Sequence, residues 1–384
     1  MKNKRKVILM LSIITVIIMS LVFLYAGHFL LSENEPEVIE NPEYSESSPV
    51  EKSEPIRYIH LSEIINGSKQ EIHIIETDVS AADVKILPVL SSDLIYGFEN
   101  LSSMATRKHA FAAVNGGFFT EFGLPSGMVV IDGLFATASK GKYPVFIVSG
   151  GKASLMEIKS KLWLESKSNK LEISNINRPA LKGETVIYTP IYGSINRAKE
   201  ENLTMTVRNG VITGMDFYSE ECEIPGDGML VSLFGALKAD SLLFKTGDAV
   251  KLVHEPQLSS DAQAYECGSW IVKDGMVVIG DKDEWVGVLT NQDPRTAVGI
   301  KGDGTVVFMV VDGRQPGYSR GMTGRELGEF LAGYGVVNAA MLDGGASTEM
   351  IFNGEIVNRP SFKGQERPLA GGLLIIDNPA LIKK

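Results

Sequence analysis

Two apolar runs near the C-terminus decide the fold. They read Thr305-Val-Val-Phe-Met-Val-Val311 and Val336-Val-Asn-Ala-Ala-Met-Leu342, and an Asp-Gly pair follows each, at Asp312 and at Asp343. Both runs have the length and composition of buried β-strands. A helical segment lies between them, so the order strand, helix, strand predicts a crossover that joins parallel strands. Ligands of such sheets bind outside the carboxyl ends of the strands, and this edge is therefore the predicted active site.

The segment between the two runs carries several helix signals. Thr323 and Glu326 have the spacing of a capping box, which marks a helix start. Apolar side chains recur at positions 327, 330, 331 and 334, one face of a helix, and Gly335 stands where a C-terminal cap belongs. We therefore expect a helix to connect the two strands.

The chain after residue 56 contains more strand patterns than helix patterns. Short runs rich in Ile and Val alternate with turn signals, and a short helix is expected at 101–108. Hairpin turns are predicted at Asn209-Gly210, Asp274-Gly275, Gly302-Asp303 and Asn353-Gly354. The predicted fold class is α+β: a strand-rich mixed sheet with a βαβ crossover near the C-terminus, behind an N-terminal transmembrane helix.

The N-terminal region predicts a membrane anchor. Residues 7–31 are 25 residues without a formal charge, and four cations precede them. About 20 apolar residues suffice to cross a bilayer as a helix, and the basic end stays in the cytoplasm. A cleaved signal peptide is the competing interpretation, but its apolar region is usually shorter, about 7–15 residues. The predicted location is the cell membrane, single-pass, with the C-terminal part extracytoplasmic.

Composition sets the domain boundaries and excludes some classes of protein. Residues 1–31 form the basic end and anchor, residues 32–56 form an acidic linker rich in Glu, Pro and Ser, and residues 57–384 form the folded domain. The net charge is −10 and no basic stripe is present, which argues against nucleic-acid binding. The spacing of Cys222 and Cys267 permits either a disulfide or two free thiols.

Hairpin registers gather arginines at the predicted site. A tight turn at 301–304 places Arg295 opposite about position 310, near Asp312. The Asn-Gly turn at 353–354 places Arg359 opposite Thr348, beside the Asp343 loop. Two further arginines, Arg314 and Arg367, lie close enough in sequence to reach the same rim. The alternative for each residue is a plain turn or a structural ion pair.

Other chemistries fit the sequence less well. The five histidines are scattered without an HxH or HExxH pair, which argues against a zinc hydrolase. Ser347 lies in Gly-Ala-Ser-Thr-Glu, which lacks the GxSxG pattern of a nucleophilic serine. We predict neither a metal nor a cofactor.

The motifs together resemble the phosphodiester glycosidase family, over roughly residues 70–377. The residues that carry the resemblance are Asn115-Gly-Gly-Phe-Phe, Arg295-Thr-Ala-Val-Gly299, Val311-Asp-Gly-Arg314, the helix at 323–331, Leu342-Asp-Gly-Gly-Ala-Ser-Thr348, Asn358-Arg-Pro-Ser361 and Glu366-Arg367. The family includes an enzyme that removes N-acetylglucosamine from a phosphodiester on mannose, as well as bacterial envelope proteins linked to exopolysaccharide. The resemblance implies hydrolysis of a sugar-1-phosphodiester of the N-acetylhexosamine type, in envelope or exopolysaccharide material.

The resemblance and the residue chemistry lead to one set of predicted site residues. Asp343 is the predicted base or nucleophile, and Asp312 has a second catalytic role in orientation or acid–base work. The predicted substrate-binding residues are Asn115, Gly116, Arg295, Arg314, Gly344, Gly345, Ser347, Thr348, Arg359, Glu366 and Arg367. The expected partners are a glycan or sugar-phosphate substrate and the membrane. The alternative function is a non-catalytic carbohydrate-binding or exopolysaccharide-assembly protein of the envelope.

Overall fold

The computed structural model describes residues 54–235, 241 and 243–378. The predicted anchor at 7–31 and nearly all of the predicted linker lie outside these residues. Within the described ranges, every helix is too short or too polar to span a bilayer.

The described chain is mostly β-sheet, as predicted. Its strands, in chain order, are β1 (Ile56–Ile65), β2 (Ser68–Thr77), β3 (Val84–Leu90), β4 (Ala112–Asn115), β5 (Val129–Ile131), β6 (Leu134–Thr137), β7 (Lys140–Ser149), β8 (Lys152–Lys159), β9 (Lys161–Ser166), β10 (Lys170–Ile173), β11 (Asn175–Ile176), β12 (Thr185–Tyr188), β13 (Asn202–Arg208), β14 (Val211–Tyr218), β15 (Gly228–Phe234), β16 (Val250–Glu255), β17 (Gln263–Glu266), β18 (Trp270–Lys273), β19 (Met276–Val277), β20 (Lys282–Asp283), β21 (Gly287–Val288), β22 (Arg295–Lys301), β23 (Val306–Val311), β24 (Val336–Met341), β25 (Met350–Phe352), β26 (Glu355–Ile356) and β27 (Gly371–Asp377).

Two α-helices are present in the described ranges, α1 (Leu101–Arg107) and α2 (Gly324–Gly333). The start of α2 carries the predicted capping box: the Thr323 hydroxyl accepts from the Glu326 N–H, and the Glu326 carboxylate accepts from the Thr323 N–H. Such a cap stabilises a helix by about 1 kcal/mol. Gly335 has φ 89°, a left-handed conformation that suits glycine just after a helix.

The central sheet has seven strands in the order β1-β2-β23-β22-β24-β18-β19. The strands β23 and β24 run in the same direction, as the crossover predicts, because each of them pairs antiparallel with β22. The sheet differs from the predicted mixed sheet, since β22 lies between the two parallel strands and every neighbouring pair is antiparallel. The edge that follows β23 and β24 is therefore also the edge where β22 begins.

A second sheet packs on the central one and supplies the other wall of the site. Its order is β26-β25-β4-β27-β3. Buried Phe308 and Ala340 of the central sheet share one core with Val114 and Leu373 of the second. Each such fully buried side chain contributes about 1.5–3 kcal/mol. The result is four layers, because α2 covers the outer face of the central sheet and α1 that of the second.

The remaining strands form smaller sheets around residues 129–288. Their orders are β6-β5-β17-β7-β8, β11-β12-β15-β13-β14, β10-β9-β16 and β20-β21. A separate apolar core, which includes Met128, Leu164, Met205 and Val231, holds most of them together. The predicted hairpin at Asn209-Gly210 is confirmed between β13 and β14, and the one at Asp274-Gly275 between β18 and β19.

Candidate active site at the Asp343 loop

The loop after β24 is fixed by main-chain hydrogen bonds to two other segments. The Asp343 N–H donates to the Gly116 carbonyl (3.1 Å), and the Gly345 N–H donates to the Pro294 carbonyl (2.9 Å). A Cβ on Gly344 would lie 2.9 Å from the same Pro294 oxygen, so only glycine permits this close approach. The Asp343 carboxyl group is therefore presented on a rigid turn between the two large sheets.

The surroundings of the Asp343 carboxyl group change its pKa. Burial raises its pKa to about 6, while the Ser347 hydroxyl, the positive charge of Arg367 and the Gly344 N–H act to lower it. Arg367 reaches the group through Ser347, to whose Oγ its Nη1 donates (2.8 Å). A carboxyl group with a pKa close to neutral can exchange a proton at physiological pH, which is what acid–base catalysis requires.

The Asp312 carboxyl group, in contrast, is sealed inside the protein. It is 1% exposed, and it accepts from the Asn358 side chain (2.9 Å), the Arg359 N–H (2.9 Å) and the Tyr318 hydroxyl (3.1 Å). The ring of His73 lies 3.4 Å away. The catalytic role predicted for Asp312 therefore has no open face for a substrate. Asn358 in turn holds the Met350 N–H and the Thr348 carbonyl, so Asp312 anchors the chain beyond the Asp343 loop.

Arg295 points away from the expected position beside Asp312. It pairs with Val311, one residue beyond the predicted partner, and a shift of one residue moves a side chain to the other face of a sheet. Its guanidinium group is buried on the α2 side, where it donates to the carbonyls of Met322 (2.8 Å) and Asn291 (2.7 Å). Burial lowers the pKa of Arg295, and its main-chain partners are uncharged. Arg295 thus secures the loops that precede β22 and α2.

Arg314 lies against the turn at Gly345. It is exposed, its Nε donates to the Asp293 carboxylate (2.8 Å), and a Cβ on Gly345 would meet its Nη2 at 3.1 Å. Its guanidinium group therefore covers the loop two residues after Asp343. A cleft of about 490 Å³ opens beside it, between the segment 314–320 and the turn at 67–69. Ligand clefts commonly have volumes of about 300–1,000 Å³.

Arg359 is exposed and lies next to Tyr318, which lines the same cleft. Its guanidinium group stacks over the Tyr318 ring at 5.1 Å, and its main-chain N–H serves Asp312. The register that led to this placement is confirmed, because Ile351 pairs with Ile356 as the Asn353-Gly354 turn predicts.

Asn115 has a structural role, although the sequence predicts that its amide binds the sugar of the substrate. The residue is 0% exposed, and its Nδ2 donates to the Asp343 carbonyl (2.7 Å). Its Oδ1 accepts from the Thr296 hydroxyl (2.8 Å) and the Glu349 N–H (3.1 Å). Both ends of the amide are used to join three segments at the base of the loop, so sugar hydroxyl groups have no access to it.

Three other predicted binding residues also have structural positions. Gly116 is buried, and a Cβ there would lie 2.8 Å from the Tyr265 ring. Thr348 is 1% exposed, and its hydroxyl lies 3.4 Å from that of Thr296. Glu366 accepts from the Ser102 N–H (2.9 Å) and hydroxyl (2.7 Å) at the first turn of α1. Of the predicted residues, Gly344, Ser347 and Arg367 act on the Asp343 carboxyl group, and Arg314 lies over Gly345 of the same loop.

Sequence reasoning missed two carboxyl groups near the site. Asp293 orients Arg314. The sequence feature that could have identified it is its position directly before Pro294, at the start of β22. Glu349 is buried next to Glu366, and its signal is a glutamate at an inward position of a strand-like run. In the described ranges, no cluster of three or more His, Cys, Asp or Glu side chains has the arrangement of a metal site. Cys222 and Cys267 are free thiols.

Part of the sequence matches one known family and several curated proteins. The phosphodiester glycosidase family model matches residues 201–376, just under half of the chain. The SPbeta prophage-derived uncharacterized protein YomE of Bacillus subtilis (strain 168) is 27% identical over 198 residues, which cover 48% of this chain and 30% of that protein. The bovine N-acetylglucosamine-1-phosphodiester alpha-N-acetylglucosaminidase is 33% identical over 106 residues, which cover 24% of this chain and 19% of the bovine protein. The chain thus spans less than a third of the length of these curated relatives.

Solved structures share the fold. A protein from Synechocystis superposes with a TM-score of 0.71 at 18% identity, over 84% of this chain and 62% of that one. A protein from Burkholderia pseudomallei K96243 superposes with a TM-score of 0.67 at 21% identity, over 81% and 74% of the two chains. The stretch that the phosphodiester glycosidase family model matches, residues 201–376, contains the Asp343 loop and most of the motifs described above, and the bovine relative is named as a hydrolase of this kind.

Proposed function

We propose that this protein hydrolyses a sugar-1-phosphodiester of the N-acetylhexosamine type, in envelope or exopolysaccharide material. The observation that carries the proposal is the Asp343 carboxyl group, whose pKa is raised to about 6 and on which the charge of Arg367 acts, in a loop whose Gly345 lies under the Arg314 guanidinium group. An ionisable carboxyl group with one guanidinium group acting on it and a second over the same loop suits a substrate that is both a glycoside and an anion.

The leaving group explains why one ionisable carboxyl group is sufficient. Ordinary glycosidases use two carboxyl groups, one of which protonates a poor alkoxide leaving group. In a sugar-1-phosphodiester, water adds at the anomeric carbon, the bond to the phosphate oxygen breaks, and a phosphate monoester departs with the electron pair. This group leaves readily without a strong general acid, so the sealing of Asp312 does not prevent the reaction.

Asp343 in its ionised form supports the attack at the anomeric carbon. It acts as the base for water or as the nucleophile, and the anomeric configuration of the released sugar separates these two roles. Ser347 holds the carboxyl group through its hydroxyl, and Arg367 fixes Ser347. This support keeps the carboxylate oriented while charge moves in the transition state.

Arg314 is the best placed phosphate ligand. Its guanidinium group is half exposed and lies over Gly345, while Asp293 holds its Nε and leaves the outer nitrogens open. The cleft beside it provides room for the group that the phosphate carries. We further propose that residues 7–31 anchor the chain in the cell membrane and that the enzyme domain is extracytoplasmic.

The test uses the purified full-length chain and a panel of sugar-1-phosphodiesters that differ in sugar and aglycone. Release of free sugar together with phosphate monoester is the expected result. The panel also includes the same sugars as aryl glycosides without phosphate, which an ordinary glycosidase would prefer. No turnover of any member, with polysaccharide binding that survives Asp343→Asn, would instead support a carbohydrate-binding protein of the envelope.

A further inference from the structure

Glu349 is a buried acid without an assigned role. It directly precedes β25 of the second sheet, and it is 1% exposed. Among the described residues, its Oε1 has no hydrogen-bond partner when the group is treated as a carboxylate. An unpaired charged oxygen in such a place would be costly, so the protonation state of Glu349 needs an explanation.

The nearest titratable neighbour of Glu349 is another acid. The carboxyl groups of Glu349 and Glu366 lie in hydrogen-bonding contact. Burial, together with the negative charge of Glu366, raises the pKa of Glu349 to about 9. Burial also acts to raise the pKa of Glu366, but hydrogen bonds from Glu349, Ser102 and Asn100 outweigh it and lower that pKa. The pair therefore divides into one neutral acid and one carboxylate.

A proton on Glu349 makes its hydrogen bonding complete. The neutral acid has one O–H donor, and the Glu366 carboxylate is the acceptor within reach. Glu366 already accepts from the Ser102 N–H and hydroxyl in the first turn of α1. With the bond from Glu349, it is held from the second sheet and from α1 at once.

The residue that follows Glu366 belongs to the proposed active site. Arg367 follows it directly, and its Nη1 donates to Ser347, which bonds the Asp343 carboxyl group. We propose that Glu349 is a positioning residue of the active site: its carboxyl group is protonated, donates to Glu366, and so keeps Arg367 on Ser347 beside Asp343. The consequence for activity rests on the proposed function, whereas the shared proton does not.

The groups that face Glu349 fix the direction of its pH response. Glu366 is the charged group that acts on it, Asn115 contributes its amide oxygen to the Glu349 main chain, and α1 contributes the Ser102 hydroxyl to the pair. The cation on α1, Arg107, is paired with Glu99 and Asp93. Loss of the Glu349 proton would put two carboxylates in contact, and their repulsion would displace Arg367.

Two substitutions separate the proton from the packing. Glu349→Gln keeps a donor to Glu366 in a side chain of equal size, and Glu349→Leu removes the donor. We expect activity of the wild-type chain to fall as the pH rises through about 9, while Glu349→Gln retains its activity there. At pH 7 we expect kcat/KM to fall about 10-fold in Glu349→Leu and to be restored by Glu349→Gln. In Glu349→Leu the acid limb near pH 6 should also move upward, because Arg367 no longer stabilises the Asp343 carboxylate.

Thermal unfolding tests the shared proton without any substrate. The folded pKa of Glu349 lies above its unfolded value, so its contribution to stability is present below the unfolded pKa and is lost as the pH rises through the folded one. We expect the wild-type Tm to fall more steeply between pH 6 and pH 9 than the Tm of Glu349→Gln. Glu329→Gln, on the exposed face of α2, is the matched control and should follow the wild type.

The outcomes keep the two proposals apart. An inactive chain with the expected Tm difference overturns the proposed function and keeps the shared proton. Equal pH slopes for wild type and Glu349→Gln overturn the shared proton. A Glu349→Gln variant as impaired at pH 7 as Glu349→Leu overturns the positioning role.

Discussion

Asp312 and Asp343 have the same local sequence and opposite environments. Each follows a buried strand of the central sheet, each precedes glycine, and both lie at the same sheet edge. The lone pairs of Asp312 are filled by protein donors, whereas Asp343 keeps a single side-chain donor and a pKa raised to about 6. An Asp-Gly pair after a strand thus sets where a carboxyl group lies, and the surrounding donors set whether it can react.

The largest expected effect is on catalysis at Asp343. Asp343→Asn should lower kcat/KM for the phosphodiester by about 10³-fold, because the carboxylate that assists attack is gone. The Tm at neutral pH should not fall, since ionisation of this buried group opposes folding. Asp274→Asn, at another Asp-Gly turn that is exposed, is the control and should retain activity and Tm. A large loss of Tm in Asp343→Asn would make Asp343 structural like Asp312.

The matching change at Asp312 should act on stability first. Asp312→Asn converts one acceptor oxygen into a donor that faces the Arg359 N–H or the Asn358 amide. We expect a loss of about 2–4 kcal/mol in the free energy of unfolding, measured by urea denaturation. Unchanged stability together with a loss of turnover in Asp312→Asn would instead indicate that Asp312 is catalytic.

Arg314 and Arg295 differ in the same way as Asp343 and Asp312, and the expected effects are smaller. Arg314→Ala should lower kcat/KM for phosphodiesters by about 10- to 100-fold while activity on an aryl glycoside of the same sugar changes little. Arg295→Ala should instead lower the Tm and affect both substrates alike, because its donors serve main-chain carbonyls. Equal losses of activity on both substrates in Arg314→Ala would contradict a phosphate-binding role for Arg314.

The smallest effect concerns the pH profile. Asp343 must be ionised to act, so activity of the wild-type chain should fall as the pH drops through about 6. Arg367→Ala removes a charge that lowers the pKa of Asp343, and the acid limb should therefore move to higher pH. The limb is measured as kcat/KM from pH 4 to pH 8. A limb that stays in place would mean that another group controls it.

Local signals in the sequence predict the elements and miss the directions of key side chains. The capping box of α2 and the 351–356 register follow from residues close together in the chain, and both are confirmed. The register of Arg295 differs by one residue, which is enough to turn its side chain to the α2 face. Turn composition specifies a hairpin's existence more firmly than the pairing of its far ends.

The roles of Asn115 and Glu349 could not be predicted because their partners are distant in sequence. Asn115 is tied to Asp343, 228 residues away, and Glu349 owes its protonation to the surroundings that packing creates. No local pattern specifies that an amide is fully satisfied or that a carboxyl group is neutral. The sequence could therefore place Asn115 at the site without distinguishing support from contact with a substrate, and it gave no role to Glu349.

The interleaving of distant strands has a consequence for protein engineering. The stretch that matches the family begins at residue 201, yet β23 pairs with β2, and β27 pairs with β3 and β4. Excised at that point, it would leave open strand edges prone to aggregation and would lose the amide that clamps the Asp343 turn. The segment that resembles the family is thus shorter than the segment that folds. Transfer of this site to another scaffold must therefore include the chain from β1 onward.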